Sequence, residues 1–98
     1  MPEVAREKDT VKTGHDCTSE TKIKDHSSDV FVNGKGAARK GDETEIHTIK
    51  VGEFCVPHTE KIHKGSGTVF VNGKELARKG DPADSGNISS GSGDVFAG

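Results

Sequence analysis

Two copies of one phrase constrain this chain more than anything else in it. Residues 30–42 read VFVNGKGAARKGD and residues 69–81 read VFVNGKELARKGD, an offset of 39 with eleven identities over thirteen positions. A repeat of this strength sets the architecture before any single residue does. Partial copies flank the pair. Residues 4–9 (VAREKD) echo the Ala-Arg-Lys-Gly-Asp half, and residues 94–98 (DVFAG) echo the Val-Phe-Val-Asn-Gly half. Three segments of the form Ala-Arg, Asp, loop, Val-Phe result, starting at Ala5, Ala38 and Ala77 and reaching Val-Phe at Val30, Val69 and Val95. Two continuous hairpins, 30–42 and 69–81, join them. The third junction falls to the two ends of the chain, so the expected geometry is a pseudo-threefold ring with the termini meeting.

Val-Phe-Val-Asn-Gly-Lys predicts a strand entering a tight turn, because β-branched and aromatic residues fit the pleat and Asn-Gly tolerates positive φ. The following Ala-Arg-Lys predicts a return strand that Gly-Asp ends at 41–42 and 80–81. Lys8 stands where the other copies have Gly, so the first of these turns is expected to differ. The loops at 10–29, 43–68 and 82–94 show no sustained helical periodicity. The expected fold class is all-β, a small conical structure of three hairpin repeats, a β-prism, in one domain over residues 1–98.

Only 29% of the chain is hydrophobic, with four Phe and no Tyr or Trp, which is thin material for an ordinary core. A fold this small then needs a disulfide, a metal or a partner. The net charge of −2 is spread without a basic field, so nucleic acid is not an expected partner. No apolar run approaches the roughly 20 residues of a membrane span. Residues 1–9 are charged and lack the apolar stretch of a signal peptide. Two cysteines in a reducing compartment favour metal ligation over a disulfide.

The chemistry-bearing residues are segregated. All five His and both Cys lie in the first two loops: His15, Cys17 and His26 in one, His47, Cys55, His58 and His63 in the other. Gly14-His15-Asp16-Cys17 and the C-x-x-H run Cys55–His58 each place a thiol near an imidazole, a spacing that suits a shared ion. Tetrahedral Zn²⁺ fits a set drawn from His15, Cys17, His47, Cys55 and His58, and nitrogen and sulfur ligands disfavour Mg²⁺ or Ca²⁺. One structural zinc ion is expected, with iron a poorer fit. His26 and His63, each just before a Gly/Ser run and far from a Cys, read as solvated loop residues. Arg6, Arg39 and Arg78 with Asp9, Asp42 and Asp81 recur in every unit and read as structural ties. No nucleophile elbow and no H-E-x-x-H run is present, so no enzymatic activity is expected.

Residues 36–42 (GAARKGD) and 76–81 (LARKGD), with the Val-Phe-Val-Asn-Gly-Lys runs and the closing Val-Phe-Ala-Gly, resemble the Pro-Ala-Ala-Arg motif of the PAAR-repeat family. The resemblance spans essentially the whole chain, although Gly36 and Glu75 replace the motif's first Pro. It implies a small conical β-structure with a metal near its apex, commonly zinc on three His and one Cys. Such a protein caps a trimeric β-helical spike, one monomer per trimer, in contractile phage tails or type VI secretion machines, and contacts the target-cell membrane transiently. By position, the resemblance carries His15, His47 and His58 over as ligands. Relatives often have a Cys after the third Arg-x-Gly-Asp, where this chain has Pro82-Ala83-Asp84-Ser85-Gly86. That leaves Cys17 or Cys55 as the sulfur ligand, with Asp84 a weaker third candidate. The expected role is a membrane-piercing spike tip and virion protein of a phage baseplate, made in the host cytoplasm. The alternatives are a secretion-system tip and a small secreted zinc-dependent effector enzyme using Glu45 or Glu53.

Overall fold

The computed structural model describes residues 1–98, and its elements are all strands. They are β1 (Thr10–Lys12), β2 (Glu20–Lys22), β3 (Phe31–Val32), β4 (Lys35–Gly36), β5 (His47–Val51), β6 (Phe54–His58), β7 (Phe70–Val71), β8 (Lys74–Glu75), β9 (Pro82–Ala83) and β10 (Gly86–Ile88). A four-stranded antiparallel sheet runs β2-β1-β10-β9, and three separate hairpins pair β3 with β4, β5 with β6 and β7 with β8. The Asn-Gly turns form as the residues require, with φ of 55° and 77° at Asn33 and Gly34 and 54° and 77° at Asn72 and Gly73.

The repeat closes into a ring through backbone hydrogen bonds. Ala5 donates to Ala77, Ala77 to Ala38 and Ala38 to Ala5, at 3.0, 2.9 and 3.0 Å. Outside this triangle Glu7 donates to Gly36, Lys40 to Glu75 and Lys79 to Glu3, each within 2.8 Å. All three alanines are completely buried where the three backbones meet. The third junction forms between the chain ends, where the Val4 amide donates to Val95 and the Ala97 amide to Pro2.

Beyond the ring each segment turns at an Arg-x-x-Asp tie. Asp9, Asp42 and Asp81 each accept the backbone amide, Nε and Nη2 of Arg6, Arg39 and Arg78 respectively, at 2.7–3.1 Å. These bonds to an ionised partner hold all three guanidinium groups above their ordinary pKa, against the opposing effect of burial. Lys8 takes the left-handed conformation (φ 68°) that Gly41 and Gly80 take at 90° and 95°. Its amide donates to Ile23 as theirs donate to Ile62 and Ile88, so the first turn keeps the bonding of the others despite lacking Gly.

Ile23, Ile62 and Ile88 are buried to within 1% and pack with the alanine ring, Val11 and Ala83 as one core cluster. Val4, Ala37, Val71, Leu76 and Ala97 form a second. The Gly/Ser runs form caps. Ser27, Ser66 and Ser92 are wholly buried, and each Oγ accepts the two amides that open the next Val-Phe segment. The supposed loops also contain hairpins of their own, β1–β2, β5–β6 and β9–β10. With 25 of 98 residues buried, this fold relies on repeated polar ties as well as on apolar contact.

Candidate metal centre

Four side chains from the three inter-repeat segments meet at one point. His15 follows β1, His47 opens β5, His58 closes β6, and Asp84 sits in the β9–β10 turn. One donor atom from each lies within 4.8 Å of all the others. His47 and His58 face each other across the hairpin as cross-strand partners, with ring centroids 5.0 Å apart. A cross-strand pair projects both side chains to one face of the pleat, which is why this hairpin supplies two imidazoles together.

Asp84 and His15 are brought in by close backbone approach. Asp84 has φ 55°, a conformation Asp tolerates, and its Oδ1 accepts the Ser85 amide at 2.8 Å. A side chain at Gly86 would drive its Cβ to 1.9 Å from the Lys12 carbonyl oxygen, and one at Gly14 would meet the Ser85 carbonyl at 2.8 Å. These two glycines let the residues after β1 lie directly on the β9–β10 turn. Asp84 then reaches His15 Nε2 at 2.7 Å and His47 Nε2 at 2.6 Å.

The local chemistry is compatible with a bound cation. The side chain of Asp84 is 2% exposed and that of His47 1%. Burial of Asp84 pushes its carboxyl pKa up, but bonds from His47 and His15 outweigh this and hold it below the usual carboxylate range. The Nδ1 of His47 faces the Glu45 carbonyl at 3.0 Å, an acceptor, so Nδ1 carries the proton. A neutral His47 would then aim its Nε2 lone pair at the Asp84 carboxylate. A second proton or a bound cation resolves that clash, and an outer carbonyl fixing the tautomer is a usual second-shell device of metal-bound His. His58 Nε2 is buried with no hydrogen-bond partner, 3.5 Å from Asp84 Oδ1. An orphaned imidazole nitrogen aimed at a carboxylate and two further imidazoles fits a metal ligand. Three His and one Asp could hold an ion such as Zn²⁺, whose structural sites accept nitrogen and carboxylate oxygen in fours.

The expected ligand set is thus corrected at sulfur. Cys17 and Cys55 are joined in a disulfide, and neither belongs to the cluster. The C-x-x-H reading of Cys55 and His58 presumes a tight turn, whereas residues 54–58 are a strand. Strand residues three apart point to opposite faces, so His58 looks inward while Cys55 looks out. Asp84, the weaker candidate, completes the group in place of a thiolate. Its position three residues after the third Arg-x-Gly-Asp was the available signal. The alternation of Ile49, Val51, Phe54 and Val56 about Gly52-Glu53 likewise marks a hairpin.

His26 and His63 stand outside the four, as expected. His26 is half-buried, with Nδ1 donating to the Ser27 carbonyl at 2.8 Å. His63 is exposed, yet its Nε2 lies 3.1 Å from the Asp84 carbonyl oxygen and so braces the turn that carries the acidic donor. Glu45 contributes its backbone carbonyl to His47, while its carboxylate pairs with Lys8 at 2.6 Å. Comparison with protein-family models and with curated proteins gives no match.

Proposed function

We propose that this chain is a PAAR-repeat spike tip: a metal-stabilised cap on a trimeric β-helical spike, of a phage tail baseplate in the first instance and of a type VI secretion machine in the second. The observation that carries the proposal is a threefold set of exposed apolar residues on the scaffold. Phe31, Phe70 and Phe96 are 58, 56 and 48% exposed, and Val30, Val69 and Val95 before them 38, 37 and 37%. Isolated apolar residues on a surface need no explanation, but the same pair at the same exposure three times over marks an interaction site. A partner with true threefold symmetry presents three identical seats, and a monomer meets it only if its own surface repeats three times.

The His15, His47, His58 and Asp84 group supports the other half of the reading. Its members follow the Arg-x-x-Asp ties along the chain, in the segments between the repeats. A zinc ion there would form the apex of a cone and contribute folding free energy on the order of 10 kcal/mol, as structural zinc sites do. Penetration of a membrane by such a point is mechanical and requires no reaction.

The test is co-purification with a trimeric β-helical spike protein. One chain per three spike protomers is expected, lost in a Phe31→Asp/Phe70→Asp/Phe96→Asp variant that still folds. A wild-type chain that fails to bind, or binds no better than that variant, would overturn the proposal.

A further inference from the structure

The disulfide and the four-residue cluster join the same two pieces of chain. His15 and Cys17 lie two residues apart after β1, and Cys55 and His58 lie three apart on β6. The segment carrying His15 is otherwise held by hydrogen bonds. Thr13 Oγ donates to the Thr18 carbonyl, Thr18 Oγ meets Thr48 Oγ at 2.5 Å and accepts the Thr48 amide at 3.1 Å, and the Ser85 amide donates to Thr13 at 3.1 Å. His15 is the only cluster member that this segment supplies; the others come from the β5–β6 hairpin and the β9–β10 turn. Cys55 is exposed and Cys17 half-buried on the outward face of the hairpin, whereas the side chains of His15, His47 and Asp84 are 8, 1 and 2% exposed inside it and that of His58 23%. A reductant therefore reaches the sulfurs without entering the cluster.

We propose that Cys17–Cys55 is a redox latch on the metal site: the closed disulfide preorganises His15 against His47, His58 and Asp84, and its reduction weakens metal binding without changing the ligands. The inference rests on reading those four side chains as a metal site. The physical basis is loop closure. With the sulfurs joined, the residues from 17 to 55 are already closed into a loop, and the metal needs only to align side chains. With the sulfurs free, ordering the His15 segment falls partly on the metal itself, so its apparent affinity drops. The reductant is a dithiol. It passes two electrons and two protons to the sulfur pair, giving two Cys thiols, and closes into its own disulfide. Linkage makes the effect reciprocal, so bound metal stabilises the disulfide by the same factor. A tip assembled in a reducing compartment and then exposed to an oxidising one would tighten its grip on the metal on the way out.

The experiment measures zinc affinity, by competition with a chelating dye, for three forms of the full chain: oxidised, reduced by a trialkylphosphine, and Cys17→Ser/Cys55→Ser. Both altered forms are expected to bind zinc more weakly than the oxidised protein, by roughly 5- to 150-fold and to a similar extent. Equal affinity in the oxidised protein and the Ser variant would overturn the latch. So would tighter binding by the reduced protein than by the Ser variant, which would make a thiolate a ligand. No zinc bound by the oxidised protein would remove the metal reading itself, and the latch with it. Should the Ser variant fail to fold, the wild type alone decides the matter. In a glutathione redox buffer, saturating zinc is expected to lower the fraction of disulfide reduced at equilibrium, and an unchanged fraction would overturn the coupling.

Discussion

The two ends of this molecule are built on opposite plans. At the ring, the main interactions occur three times: an alanine bond, an Arg-Asp tie, a buried Ser cap and an isoleucine. At the candidate metal site the three segments contribute unlike sets. One segment gives a single His, one gives two, one gives an Asp, and one disulfide crosses between two of them. The ring can lose one copy of a tie and keep two. The candidate site is a single set of four, so one lost side chain there leaves it short of a ligand. Redundancy holds the shape, and uniqueness carries the chemistry.

The largest expected effect tests the candidate metal site. A strong chelator should lower the thermal midpoint of the wild type substantially, and an Asp84→Ala variant should begin at the lower midpoint and ignore the chelator. Differential scanning calorimetry with metal analysis reads both. An Asp84→Ala variant as stable and as chelator-sensitive as the wild type would remove the distinction between the two ends.

A smaller effect tests the equivalence of the ring. Asp9→Asn, Asp42→Asn and Asp81→Asn each replace a carboxylate that accepts three bonds from an Arg, two of them from its guanidinium. Each is expected to cost about 1.5–3 kcal/mol in denaturant unfolding. Asp9 should stand at the upper end, because it alone also accepts a bond from Ser90 Oγ, at 3.0 Å. One position costing several times the others would show that the three ties differ in what they hold.

The smallest effect concerns Lys8. Its left-handed backbone costs about 1–2 kcal/mol relative to Gly. Lys8→Gly recovers that, but it frees the unfolded chain and loses an exposed pair with Glu45. A net gain of no more than about 1 kcal/mol is expected from chemical denaturation. A clear loss would mean that the Lys8–Glu45 contact matters to the neighbouring β5–β6 hairpin more than its exposure implies.

Much of the fold could be read directly because repetition is a local signal. Eleven shared residues at one offset announce the hairpins, the Asn-Gly dipeptides their turns, and the partial copies at each end the third junction. The site was legible in part. His15, His47 and His58 stood out as a concentration of imidazoles in a core-poor chain. The assignment of sulfur to the metal did not survive, because it depends on which way a side chain points. Cys55 is three residues from His58 in a strand and so faces away from it, and in a turn the same spacing would have faced it inward.

By itself, then, the sequence determined the repeat, the all-β class and the residue types available for chemistry, since each follows from neighbours along the chain. Only the tertiary structure decided which of those residues meet. The Asp84 turn reaches His15 because Gly14 and Gly86 admit a close backbone approach between segments some seventy residues apart. The cysteines find each other across the outside of the β5–β6 hairpin and stay out of the four-residue cluster. Both outcomes depend on the relative placement of unlike segments, which no local pattern encodes.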